Sequence, residues 1–242
     1  MKALTLAASA GLIFSLGLMA ASQKKEVDIQ AADGTTLKGS YFSPQRPGPA
    51  ILLLHQCNMD RHAWDGLAKD LSDAGFHVLT FDFRGFGDTG GGQAGQTGRP
   101  ILREKWPGDV DAAYAWLLAQ KGVDKTRVAA GGASCGVTQA ADAAVRHHEI
   151  KALVLLSGSA SDAAKAYISA TPTLAIFGAA SEGDTRANQG IAEAVQPSKN
   201  PHSRGLHLEG TEHGVPMFAK HPDLEPKIIE WLKARMAGSG GA

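Results

Sequence analysis

Five residues near the middle of the chain, Gly132-Ala133-Ser134-Cys135-Gly136, separate a run rich in apolar residues at 126–130 from a helical stretch at 137–148. This pattern predicts a strand, a sharp turn and a helix, with Ser134 at the apex of the turn. Small residues on both sides let the backbone reverse without a Cβ clash, so the serine hydroxyl is exposed above the carboxyl end of the strand. Because the chain contains 29 glycines, the motif alone is weak, and its surroundings must decide whether Ser134 is a nucleophile.

Length and composition narrow the class of protein. With 242 residues, of which 43% are hydrophobic, the chain predicts one globular domain with a sizeable core. The formal net charge is zero, and aromatic residues make up only 6% of the sequence. This balance favours neither a nucleic-acid partner nor binding to a membrane surface, and it leaves the oligomeric state open.

The first 22 residues have the pattern of a targeting segment. They begin with Met1-Lys2, continue through an apolar stretch and end in small residues. That order predicts a signal peptide cleaved near Ser22, followed by a mature domain over residues 23–242 in the periplasm or outside the cell. The apolar stretch also approaches the length of a membrane span, so a retained anchor is the alternative. Disulfides persist in exported proteins.

Short apolar runs alternate with helical patterns along the rest of the chain. Residues 26–30 and 35–43, separated by Asp33-Gly34, predict an antiparallel hairpin. Runs without strict alternation predict strands buried on both faces, at 50–55, 78–83, 127–131, 152–157, 173–177 and 205–208. Helical patterns lie between most of them, which predicts an α/β fold with a mainly parallel sheet flanked by helices. Only a short helix is predicted between the strands at 152–157 and 173–177, which leaves no room for a large lid.

Candidates for proton transfer follow Ser134 along the chain. A serine hydroxyl needs a histidine to take its proton and a carboxylate to orient that histidine. Glu182 and Asp184 follow the strand predicted at 173–177, and His213 lies in a glycine-flanked loop after the last predicted strand. Asp184 is also placed to cap the helix predicted from Thr185. The candidates occur in the order serine, acid, histidine.

This order and the strand pattern resemble the α/β-hydrolase superfamily, from Ala50 to Ala237. The segment Leu52-Leu-Leu-His55 leading to Trp64 is similar to the family's first parallel strand and oxyanion loop, and Asp82-Phe-Arg-Gly-Phe-Gly87 is similar to its D-x-R-G-x-G turn. The small insert after the sixth strand resembles the lid-less, dienelactone-hydrolase-like branch, although that branch often has cysteine at the position of Ser134. The resemblance implies a serine hydrolase that cleaves a small-molecule carboxylic ester through an acyl-enzyme, with no cofactor and no metal.

The resemblance also implies a role for each candidate. Ser134 is implied as the nucleophile, His213 as the general base and then acid, and Asp184 as the orienting carboxylate, with Glu182 as the alternative acid. The family usually has an acid three residues after a strand-ending glycine, and here Ser181 holds that place. The loop that carries the acid is therefore predicted to be longer or shifted.

The oxyanion hole is implied at the two cysteines. Its donors are the backbone N–H of Cys135, which follows the nucleophile, and that of Cys57 in the loop after the first parallel strand. Both cysteines then lie beside one site, where they form either a disulfide or two buried thiols. Gln56 stands where the family usually has glycine, so either the turn is built differently or the side-chain amide adds a donor. His55, at the end of a buried strand, is predicted to brace the loop by hydrogen bonding.

The sequence also bears on two other classes of protein. The irregular acid loop and Gln56 keep open a noncatalytic ligand-binding relative that has lost turnover. A nucleotide-binding domain is disfavoured, because residues 131–136 lack the G-x-G-x-x-G spacing. The cysteines and histidines show no spacing typical of metal ligands.

Overall fold

The fold is built on one central sheet, seen in a computed structural model that describes residues 22–90 and 102–238. Apart from Ser22, the predicted signal peptide lies outside the described residues. The strands are β1 Gln23–Gln30, β2 Thr36–Ser43, β3 Gly48–Leu54, β4 His77–Phe81, β5 Val123–Ala133, β6 Ile150–Leu156, β7 Ala175–Ser181 and β8 Arg204–Leu208. The α-helices are α1 Asp65–Asp73, α2 Trp106–Leu118, α3 Cys135–Arg146, α4 Asp162–Ala170, α5 Thr185–Val195, α6 Met217–Lys220 and α7 Leu224–Arg235. Short 3₁₀ segments lie at Arg61–Trp64 and Gly87–Thr89.

The sheet is mainly parallel, as predicted. Its strands lie in the order β1-β2-β4-β3-β5-β6-β7-β8. The pairs β1–β2 and β2–β4 are antiparallel, and every other pair is parallel. Because parallel strands end at the same edge, the loops that follow β3, β5, β7 and β8 meet there, and these loops carry the candidate residues.

Helices cover both faces of the sheet. One buried cluster packs the sheet against α2, α3, α4 and α5, through side chains that include Val110, Ala140, Ile168 and Ile191. The other packs it against α1, α6 and α7, through side chains that include Leu67, Met217 and Ile228. All seven residues of β3 are buried. Burial on both faces explains why the strand sequences show apolar runs and no alternation.

The last residue predicted for β7 is wrong. The prediction ended this strand at Phe177, whereas it extends to Ser181 and pairs with β8 up to the Ser181–Leu208 match. Small residues allow this extension, since a Cβ on Gly178 would lie 2.7 Å from Ile191 Cγ2 in α5. The loop that carries the acidic candidates is therefore only the short connection between β7 and α5.

The segment between β6 and β7 is short and fully described. It contains α4 and no other helix, so the prediction that no large lid is inserted here is confirmed. Within residues 22–90 and 102–238, no helix has both the length and the apolar character needed to cross a membrane.

Candidate active site

Ser134 lies at the bend between β5 and α3. Its φ of 53° and ψ of −118° are strained for a residue with a Cβ. Glycines make the bend possible, because a Cβ on Gly132 would overlap the Gly136 carbonyl, and a Cβ on Gly136 would lie 2.9 Å from His55 O. The amide of Ser134 donates to Leu156 O at 2.9 Å. This bond and the close packing at the two glycines hold the half-buried serine at the carboxyl edge of the sheet despite the strain.

Of the two acidic candidates, Asp184 is the one that contacts the histidine. Asp184 is at the N-cap position of α5, but its side chain makes no capping hydrogen bond. Instead, Asp184 Oδ2 accepts a hydrogen bond from His213 Nδ1. Glu182 is exposed, and its carboxylate has no hydrogen bond or ion pair with another described residue. Because Nδ1 of His213 carries the donated proton, Nε2 is the nitrogen that can accept another.

The loops that carry the acid and the histidine are joined to each other. Gly183 N donates to Gly210 O at 2.9 Å. The buried hydroxyl of Ser181 donates to Glu212 O at 2.7 Å, which fixes the residue just before His213. The side chain at position 181 therefore supports the histidine from the place where the family pattern has the acid.

The histidine loop is also joined to the loop after β3, through Gln56. Gln56 is buried, and its Oε1 accepts a hydrogen bond from Val215 N at 2.9 Å. Its Nε2 donates to Asn58 Oδ1 at 2.7 Å. The side-chain amide is thus used to hold the backbone two residues after His213, and both of its polar groups are bonded within the protein.

The histidine loop packs against the bend at Ser134. A Cβ on Gly214 would lie 3.4 Å from the Cβ of Ala133, so the backbone just after His213 comes close to the residue just before Ser134. Among the described residues, no hydrogen bond joins Ser134 Oγ to His213. Catalytic hydrogen bonds often tighten only when substrate is bound.

Cys57 and Cys135 are joined by a disulfide that brings two backbone amides together. Their Cα atoms are 5.9 Å apart, although 78 residues separate them in the sequence. Cys135 is the first residue of α3, where backbone N–H groups have no partner within the helix. The N–H of Cys57 donates no hydrogen bond within the described part of the chain. Both amides are therefore free to bind an oxygen atom.

His55 braces the loop after β3, as predicted. Its Nδ1 donates to Gln56 O at 2.8 Å, and its Nε2 accepts from Phe83 N at 3.0 Å. Burial lowers the pKa of His55, which favours the neutral ring that these two bonds require. The imidazole thus links the loops after β3 and β4.

Asp82 and Arg84 belong to ion pairs away from the bend. Buried Asp82 accepts from Arg61 Nη1 at 2.5 Å, from Arg61 N at 2.8 Å and from Asp88 N at 2.8 Å. Arg84 Nε donates to Asp109 Oδ2 at 2.7 Å. These contacts give both residues a structural role, since Asp82 fixes the far end of the loop that contains Cys57.

The sequence did not identify Ser181 and Gln56 as residues that support the histidine. Ser181 and Gln56 act through backbone atoms of the His213 loop, 31 and 159 residues further along the chain. Both had stood out as departures from the family pattern, and that departure was the only signal for them. No cluster of three or more histidine, cysteine or acidic side chains suited to a metal ion occurs in the described ranges.

A family model and curated relatives match the sequence of this chain. The model of the alpha/beta hydrolase fold family matches residues 49–222. Over 135 residues, the chain is 36% identical to an uncharacterized protein of Mycobacterium tuberculosis, an alignment that covers 55% of this chain and 45% of that protein. The chain thus spans less than half the length of this relative.

Solved structures share the same architecture. The Pyrococcus furiosus esterase Pf2001 superposes with a TM-score of 0.70 at 20% identity, over 89% of this chain and 92% of that one. P91, a dienelactone hydrolase-like promiscuous phosphotriesterase from metagenomic libraries, superposes with a TM-score of 0.61 at 19% identity, over 80% and 84% of the two chains. At these identities the similarity establishes the fold.

Proposed function

Since this chain belongs to the α/β-hydrolase fold family, we propose that it is a serine hydrolase that cleaves carboxylic esters through an acyl-enzyme on Ser134. One observation carries the proposal. His213 donates to Asp184 through Nδ1, in a loop that packs against the strained bend at Ser134. This arrangement supplies the oriented imidazole that a serine nucleophile needs.

In the first half of the proposed reaction, Ser134 Oγ attacks the ester carbonyl carbon while His213 Nε2 takes the hydroxyl proton. The carbonyl oxygen becomes an oxyanion, which accepts hydrogen bonds from the amides of Cys57 and Cys135. The bond to the alcohol oxygen then breaks, and His213 returns the proton to that oxygen. The products of this half are a free alcohol and an acyl group on Ser134.

In the second half, water replaces the serine as the nucleophile. His213 Nε2 takes a proton from the water, which attacks the acyl carbon, and the same two amides bind the new oxyanion. The bond to Ser134 Oγ breaks, Ser134 recovers its proton from His213, and the carboxylic acid leaves. Asp184 holds the histidine in the required tautomer and stabilises the imidazolium that forms in each half.

The substrate proposed for this site is a small or partly polar ester. Only α4 separates β6 from β7 in this fully described segment, so no large lid encloses an acyl group from that side. A long lipid chain would gain little burial there. The reaction needs no cofactor, because every proton transfer is assigned to a side chain of the protein.

We also propose that the protein is exported. The pattern of residues 1–22 predicts a signal peptide. The disulfide supports the same location, since such bonds persist in oxidising compartments and are rare in the cytosol.

The experiment that tests this function measures turnover of 4-nitrophenyl esters of graded acyl length. Ser134→Ala and His213→Ala are each expected to lower kcat/KM by about 10⁴-fold or more, with folding unchanged by circular dichroism. Ser198→Ala and His148→Gln, which change residues outside the site, are the matched controls and should retain activity. Activity of Ser134→Ala close to that of the wild type would refute the mechanism. An inactive wild type would favour the noncatalytic ligand-binding alternative.

A further inference from the structure

The two cysteines of this chain are the two residues whose amides are assigned to the oxyanion. Cys57 lies in the loop after β3, and Cys135 begins α3. The disulfide joins the loop to the helix across 78 residues of sequence. The disulfide thus covalently connects the two residues that supply the oxyanion donors.

The loop that carries Cys57 is anchored at its two ends and through the buried side chain of Gln56, which accepts from Val215 N at 2.9 Å. His55 fixes the start through Phe83 N, and Asp82 fixes the end by accepting from Arg61 N at 2.8 Å. Between these ends, the turn is closed by one backbone bond, from Met59 N to Gln56 O at 3.0 Å.

Apart from the disulfide, the half-buried Cys57 side chain packs against the buried cluster on the α2 to α5 side of the sheet. Nη2 of the exposed Arg103 lies 3.7 Å from Cys57 Sγ. To these contacts the disulfide adds a covalent restraint on the residue that donates the first hydrogen bond. The second donor is more rigid, because it belongs to a helix. The Ser134 amide bonds Leu156 O, and Val137 N bonds Ser134 O at 3.0 Å. Through the disulfide, the loop amide takes its position from this helix.

We propose that the Cys57–Cys135 disulfide positions the oxyanion hole, by holding the Cys57 N–H beside the Cys135 N–H. The inference rests on the proposed esterase function and assigns both cysteine side chains as positioning groups for that reaction. Breaking the bond frees the Cys57 amide to move, while Ser134, His213 and Asp184 keep their contacts.

This role predicts a particular kinetic effect. The negative charge on the carbonyl oxygen develops only in the transition state, so misplaced donors lower kcat and leave KM nearly unchanged. Loss of one oxyanion donor costs about 10²- to 10³-fold in kcat. Since a mobile Cys57 amide still occupies its position part of the time, we expect a loss of about 10- to 100-fold.

The test separates the effect of the disulfide from the effect of the two N–H donors. Because the donors are backbone groups, the double variant Cys57→Ala/Cys135→Ala keeps both N–H groups and removes only the bond between the side chains. A second preparation is the wild type treated with tris(2-carboxyethyl)phosphine, which supplies the two electrons that convert the disulfide into two thiols. Both should show the lower kcat, and removal of the reductant followed by oxidised glutathione should restore the wild-type value.

Two further measurements exclude a general loss of stability as the cause. Ile150→Ala creates a cavity at the first residue of β6, at the opposite edge of the sheet from the site. This control should lower the melting temperature and leave kcat unchanged. A trifluoromethyl ketone, which forms an oxyanion when Ser134 adds to it, should bind more weakly to the double variant by the same factor as the loss in kcat.

The outcomes distinguish this inference from the proposed function. An oxidised wild type without esterase activity would refute the function itself. An active wild type whose kcat is the same after reduction and in the double variant would overturn the positioning role and leave the function intact. If the double variant unfolds in buffer, kcat is compared in trimethylamine N-oxide, which favours folded states. Failure to fold there as well would overturn the proposal, because the bond would then serve the fold.

Discussion

Gln56 connects the loop after β3 to the histidine loop, and its replacement by alanine is the sharpest test of how His213 is held. The buried Oε1 of Gln56 accepts from Val215 N at 2.9 Å. In Gln56→Ala, this half-buried N–H loses its partner, which costs about 1–3 kcal/mol of unfolding free energy. Gly214, with φ of +73°, lies between Val215 and His213, so release of Val215 gives the imidazole new freedom.

The expected effect on activity follows from this freedom. A displacement of about 1 Å at a catalytic group can cost about 10²-fold in rate. Because Ser181 still bonds Glu212 O on the other side of His213, we expect a smaller loss, of about 10-fold in kcat. Unfolding in guanidinium chloride measures the stability, and initial rates on 4-nitrophenyl butyrate measure kcat.

Asn58→Ala is the matched control for this prediction. It removes the partner of Gln56 Nε2 and leaves the bond to Val215 intact. We expect its kcat to stay within about twofold of the wild type, as is usual for an exposed side chain that has no assigned contact with the substrate. A kcat for Gln56→Ala equal to that of Asn58→Ala would refute the argument that the buried amide holds the histidine.

Three other outcomes are expected. Asp184→Asn should lower kcat by about 10³- to 10⁴-fold, whereas the kcat of Glu182→Gln should stay within about twofold of the wild type. If ester assays show the larger loss in Glu182→Gln, the acid is Glu182. The disulfide closes a loop of 78 residues. Because its reduction gives the unfolded chain more conformational entropy, it should lower the unfolding free energy by about 4.5 kcal/mol. A loss below about 1 kcal/mol in denaturant titrations would contradict this reasoning. Burial lowers the pKa of His77 from its ordinary 6.5, so the unfolded chain takes up the proton first and stability should fall as the pH drops from about 7 to 5. His77→Gln should weaken that pH dependence, and an identical pH profile in the variant would exclude His77 as its source.

The fold could be predicted well because its signals are local. Apolar runs without alternation mark strands covered on both faces, and helical spacing marks the segments between them. The prediction failed at the end of β7, where Gly178 and the alanines after it have weak strand propensity. Their small size is needed because Ile191 of α5 packs over Gly178, and a contact with a later helix cannot be read from the strand itself.

The site was only partly predictable, because its supports are long-range. The bend at Ser134 has a local glycine pattern, and Asp184 and His213 were suggested by their order in the chain. The bond from Ser181 to Glu212 O and the bond from Val215 N to Gln56 have no local pattern. Each joins a side chain to a distant backbone atom, so it depends on how the loops meet at the edge of the sheet.

The proposed mechanism depends most on the reactivity of Ser134. Mass spectrometry of the folded protein after treatment with a fluorophosphonate tests this reactivity directly. We predict a single adduct, located by peptide mapping on Ser134 and absent from Ser134→Ala. Folded wild-type protein that forms no adduct, or that carries it on another residue, would contradict the proposed mechanism.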